Sequence, residues 1–157
     1  MSKVLIIGYG NPLRSDDAVG WHAVKALKSL IPQDSVTLLS THQLSPELAE
    51  SLSDTKQVIF IDAGTDPAPG QIRITNLNPE QASSKPLHHH LTPEALLSYS
   101  SSLYGNCPEG VLITIAGGSF EFGEELSKPV QNALPIVLKK VSTLVHEIKR
   151  KQDEQPV

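Results

Sequence analysis

The chain has 157 residues, 39% of them hydrophobic and 19% charged, which suits one globular domain able to bury a core without staples. A formal charge of −4 argues against a nucleic-acid footprint, which needs a basic stripe, and a single cysteine, Cys107, rules out an internal disulfide and suits a reducing, cytoplasmic setting. No run of about 18 apolar residues occurs, so no membrane span is expected, and the short apolar run after Met1 meets Gly8 without the small-residue site of a signal peptide.

Residues 3–7 form a continuous apolar run bounded by Gly8, the pattern of a strand buried on both faces. Residues 18–31 carry Val19, Ala23, Leu27, Leu30 and Ile31 at helical spacing. A second strand is expected over 35–41, rich in β-branched residues. Ser45 as N-cap and Pro46 in the first turn open a short helix. A third buried strand covers 57–62, and the alternating residues 70–76 read as a half-exposed strand at a sheet edge.

Thr92, Pro93 and Glu94 supply a cap, a first-turn proline and a dipole-favoured acid for a helix running to about Tyr104. Residues 111–116 are a further buried strand. The last helix is expected from Ser127 to about Lys149, with Val130, Leu134, Val137, Val141, Leu144 and Ile148 facing inward and Pro135 kinking it or splitting off its first turn. The domain is therefore assigned to residues 1–148 and a flexible polar tail to 149–157. Alternating buried strands and helices argue for an α/β fold, a single doubly wound, mostly parallel sheet with helices on both faces.

In such sheets a ligand site lies beyond the carboxyl ends of the strands. The first strand leads into Gly8 to Asp17, the second ends in Thr41, His42 and Gln43, and the third in Asp62, Ala63 and Gly64. Asp16 and Asp17 precede a helix; one carboxylate suffices as a cap, which is assigned to Asp16 and leaves Asp17 to face the strand ends. Asp62 is either a turn residue or a site acid. His88, His89 and His90 form an internal run, either a solvated loop or the source of one inward imidazole. Carboxylates and an imidazole at one edge make an oxygen/nitrogen donor set that suits nickel, zinc, iron or manganese. The Gly8-x-Gly10 turn lacks the third glycine of a dinucleotide fingerprint, since Leu13 stands there, and His146-Glu147 has Arg150 where a zinc motif needs histidine. Cys107 has no motif around it and reads as an incidental thiol.

The stretch Gly8-Tyr9-Gly10-Asn11-Pro12-Leu13-Arg14-Ser15-Asp16-Asp17-Ala18-Val19-Gly20 resembles the long, specific first signature of the hydrogenase maturation endopeptidases. Ile59 to Ala63 is similar to the family's second motif, a hydrophobic strand ending in Asp-Ala, and the His run before Leu91-Thr92-Pro93 to its third, where the spacing favours His89. Residues 117–123 and 126–127 also resemble the family's C-terminal part. The resemblance implies a five-stranded twisted sheet between helices and a metal-contacting, catalytic trio of Asp17, Asp62 and His89. Asn11, His42 and Gln43, which follow strands at the same edge, are accessory candidates. It implies an aspartic-type endopeptidase with no tightly bound cofactor. Nickel would come with the substrate, the [NiFe]-hydrogenase large-subunit precursor, whose C-terminal extension is removed. A monomer is expected. Where many members carry Asp-Gly-Gly-Thr, this chain has Ser40-Thr41-His42-Gln43, which looks like the subgroup serving bidirectional NAD-linked hydrogenases. A protein that docks on the nickel-loaded subunit without cutting it is the alternative reading.

Overall fold

The computed structural model describes residues 4–34, 36–81 and 91–154. Its centre is a five-stranded sheet in the order β2-β1-β3-β5-β4, made of β1 (Val4–Tyr9), β2 (Val36–Thr41), β3 (Gln57–Gly64), β4 (Ile72–Asn76) and β5 (Glu109–Ala116). All neighbouring pairs are parallel except β4 against β5. The helices are α1 (Val19–Leu30), α2 (Leu48–Ser53), α3 (Pro93–Tyr104) and α4 (Lys128–Glu154).

The doubly wound arrangement follows from side-chain alternation along apolar strands. Val4, Ile6, Ile59, Ile61, Ile113 and Ile115 point to one face, where α1 presents Ala23, Val24 and Leu27 and α4 presents Val130, Val137 and Val141. Leu5, Ile7, Val58 and Phe60 point to the other, against Ala49 and Leu52 of α2 and Leu96 and Leu97 of α3. β1 therefore lies between two strands that the chain reaches through crossovers on opposite faces. The crevice that such a reversal opens lies beyond the carboxyl ends of β1 and β3.

Local expectations hold for α3, where Thr92 Oγ1 accepts from Ala95 N at 3.1 Å, Pro93 takes the first turn and Gly105 closes the helix at φ 75°. Three differ. The helix α2 begins at Leu48, and Ser45 contributes its carbonyl to Leu48 N rather than a side-chain cap. β4, the edge strand, is exposed along Arg73–Asn76 rather than half-exposed, with only Ile72 packed against the core. α4 is not divided at Pro135 and continues past Lys149 to Glu154, so residues 149–154, expected in the tail, are helical. Its inward stripe is Val130, Ala133, Val137, Val141 and Val145, with Leu134, Leu144 and Ile148 packed at its margin. The proline is exposed, on the side of the helix turned from the core, where it disturbs no packing.

Candidate active site

The loop after β1 is shaped by close backbone contact. A Cβ on Gly8 would lie 2.1 Å from the Gly20 carbonyl oxygen, and one on Gly20 would lie 2.6 Å from the Ile61 carbonyl oxygen. The first turn of α1 thus rests directly on β1 and β3, which only glycine permits. Gly10, at φ 142°, turns the chain over a position where a Cβ would meet Asp17 O at 2.0 Å. From there the loop closes on itself. Leu13 N donates to Asn11 Oδ1 at 2.9 Å, Arg14 N to Asn11 O at 3.2 Å, and Asn11 N to Asp17 Oδ2 at 2.7 Å.

Asp17 and Asp62 consequently line one cleft of about 360 Å³, together with Tyr9, Asn11 and His42. Gln43, Leu44 and the start of α3 with the residues before it, Leu91 to Pro93, complete its walls. Asp62 Oδ1 accepts from Ala63 N at 2.8 Å, and the Tyr9 hydroxyl hydrogen-bonds the same carboxylate. Burial pushes the Asp62 pKa up to about 7; the Asp17 charge adds to the rise, while the bonds from Ala63 and Tyr9 oppose it. Tyr9 is itself pushed far above the ordinary tyrosine value by burial and by the Asp62 charge. Its ring meets Phe60 edge to face, with centroids 6.4 Å apart, which fixes the hydroxyl over Asp62.

Of the expected site residues, the fold brings together Asp17, Asp62, Asn11, His42 and Gln43. His89, with His88 and His90, lies outside the described residues, immediately before Leu91 in the sequence. Among the described residues, no group of three or more His, Cys, Asp or Glu side chains is placed to hold a metal ion. Tyr9 was not singled out from sequence, although its position at the carboxyl end of a buried strand was a usable signal.

Asp16 requires a correction. It was expected to cap the helix after it, but no side chain caps either the 3-10 turn Ser15–Ala18 or α1. Asp16 is fully buried and turns the other way. Its carboxylate accepts from Gly118 N (2.7 Å), Ser119 N (3.0 Å), Ser127 N (2.7 Å) and Ser127 Oγ (2.6 Å). Burial works against its ionisation, but these four donors outweigh it and hold the pKa below the ordinary carboxylate value. Asp16 therefore caps α4 and straps residues 117–127 to the loop after β1.

A doubly wound α/β domain with a two-carboxylate cleft at the switch between β1 and β3 is the class that this fold and site define. The chain has the fold of the hydrogenase maturation endopeptidases. It superposes on the hydrogenase maturating endopeptidase HybD from Escherichia coli with a TM-score of 0.79 and 26% identity, over 92% of this chain and 93% of that one. It matches the hydrogenase 2 maturation peptidase from a Thaumarchaeota archaeon at 0.71 and 27% identity, over 92% and 99%. The [NiFe] hydrogenase maturation protease HycI from Thermococcus kodakarensis shares the fold at 0.71 and 24% identity, over 94% and 92%. No family model matches the sequence, and no curated protein matches it. Among the described residues, no helix is long and apolar enough to cross a membrane.

Proposed function

We propose that this chain is an endopeptidase that recognises nickel in the immature large subunit of a [NiFe] hydrogenase and removes that subunit's C-terminal extension. The observation that carries the reading is the meeting of Asp17 and Asp62 in one cleft, beneath the fold shared with named hydrogenase maturation endopeptidases. The nickel belongs to the substrate, and the protein holds no metal tightly of its own. Asp17 and Asp62 offer it hard anionic oxygen, and His89 is assigned the imidazole contact. Tyr9 and the Ala63 amide orient the Asp62 carboxylate.

The reaction is addition of water to the carbonyl carbon of the scissile peptide. The C–N bond breaks, the new carboxylate stays on the subunit and the amine leaves with the extension. In the metal-free cleft burial holds the Asp62 pKa near 7, so seating the substrate's nickel against this carboxylate releases its proton. His42, at the cleft wall, tunes the site without contacting the metal. The protein acts as a cytoplasmic monomer, and its Ser40 to Gln43 segment favours the precursor of a bidirectional, NAD-linked hydrogenase.

Incubation with a nickel-loaded precursor, followed by mass measurement of the product, tests the assignment. The expected result is a subunit shortened at its C-terminus by the wild-type protein and left intact by Asp17→Asn and Asp62→Asn. A folded Asp17→Asn or Asp62→Asn variant that cleaves at the wild-type rate overturns it.

A further inference from the structure

A second cleft, of about 500 Å³, lies on the other side of the loop that carries Asn11. Pro12 and Leu13, the next two residues of that loop, line it with Trp21, whose indole Nε1 donates to Gly10 O at 2.8 Å. The same loop therefore borders both clefts, and Gly10 itself lines the first. His22, Lys25 and Lys28 project into the second cleft from α1, and Glu124 is the one carboxylate lining it. Both lysines are exposed, and neither forms an ion pair among the described residues. In a chain with a formal charge of −4 this is a local excess of positive charge. The rim is apolar. Leu13 is 45% exposed and Phe122 83% exposed, and Gly123 N, donating to Leu13 O at 2.8 Å, holds the two segments side by side.

Apolar side chains left in water next to unpaired cations, across one loop from the active-site cleft, are the features of a docking surface for a partner of opposite charge. We propose that this cleft binds an acidic, partly apolar segment of the hydrogenase precursor, outside the peptide that enters the active-site cleft. The identity of the partner rests on the proteolytic reading; the chemistry of the cleft does not. Lys25 and Lys28, one helical turn apart, take two carboxylates of the segment, while Leu13, Trp21 and Phe122 take its apolar side chains. Long-range attraction by the lysines speeds encounter, and the apolar rim fixes orientation once the partner is seated.

The test is titration of nickel-loaded precursor against the full-length protein and against a Lys25→Glu/Lys28→Glu variant and a Lys25→Arg/Lys28→Arg variant. Each is checked for unchanged thermal stability. The charge-reversed protein is expected to bind about tenfold more weakly and to lose the salt dependence that the wild type shows between roughly 50 and 300 mM. The arginine variant is expected to stay within about twofold, since it keeps the charge. Charge reversal that leaves affinity and salt dependence unchanged overturns the docking site, as does a wild-type protein that fails to bind the precursor. Binding without cleavage by the wild type sinks the proteolytic reading instead, and the comparison of affinities still decides the docking site.

Discussion

Asp16 and Ser127 are bonded twice, the Ser127 amide to Oδ1 at 2.7 Å and the Ser127 hydroxyl to Oδ2 at 2.6 Å, across a separation of 111 residues. The pair joins the loop after the first strand to the head of the last helix. Ser15 reinforces the joint from φ 51°, a backbone region unfavourable for serine, by donating its hydroxyl to Glu121 O at 2.7 Å and its amide to Gly123 O at 2.8 Å. The site loop is thus held by the far end of the chain.

Asp16→Asn is accordingly a stability variant, not a silent one. An amide would turn a donor toward a pocket made of donors and lose the negative charge that all four bonds use. A loss of about 2 to 4 kcal/mol in denaturant unfolding is expected, against about 1 kcal/mol for Ser127→Ala, which removes only the hydroxyl bond. An Asp16→Asn protein as stable as the wild type contradicts this role.

Asp62 makes the stability of the protein alone depend on pH, with a definite sign. Its pKa rises on folding from an ordinary 3.8 to about 7, so the folded state holds the proton more tightly than the unfolded chain. Below about pH 4 both states are protonated and no cost arises. Stability then falls as pH rises toward 7, and the full cost persists above it. Asp62→Asn removes that cost, so the variant should gain on the order of 1 to 3 kcal/mol at pH 8 and nothing at pH 4. Parallel unfolding curves at the two pH values decide the matter, and a gain that is larger at pH 4 refutes the assignment.

Gly20→Ala tests the contact that seats the site loop. The added Cβ would meet three backbone atoms within 3.0 Å, and none can move without shifting β1 or β3. A loss of at least about 3 kcal/mol, or failure to fold, is expected. Gly105→Ala meets nothing within 4 Å and carries only the strain of its φ of 75°, so it should cost about 1 kcal/mol. Melting temperatures of the two variants, compared directly, check the ranking.

The imidazoles separate by role. His89→Ala should abolish processing of a nickel-loaded precursor, while His88→Ala and His90→Ala reduce it less. His42, at the cleft wall, should slow processing by roughly tenfold when replaced by alanine, with the fold unchanged. Processing time courses for the four variants test this; an unaffected His89→Ala removes that residue from the site, and unaffected kinetics in His42→Ala remove His42.

Much of this was legible in sequence because it is written in local patterns. The runs at 3–7, 35–41 and 57–62 read as parallel strands from the sequence alone, and their shared carboxyl edge predicted the cleft in which Asp17, Asp62 and His42 stand together. The Thr92-Pro93-Glu94 start of α3 depends only on neighbours in the chain and was legible to the residue, and its end near Tyr104 was legible from the same pattern.

What needed the tertiary structure were the partners of buried polar groups. Next to a helix start, Asp16 has the same local signature whether it caps that helix or one 111 residues away, because a carboxylate accepts from whichever amides the fold presents. Tyr9 is one more residue of a strand until β3 sets Asp62 beneath its hydroxyl, and the pKa of Asp62 exists only once both are buried together. The sequence by itself determined which strands form, which helices cover them and which edge carries the acids, since those rest on periodicity and steric preference along the chain. The tertiary structure alone decided which acid builds the scaffold and which lines the cleft, since desolvation and hydrogen bonding are set by what packs around a carboxylate rather than by what precedes it.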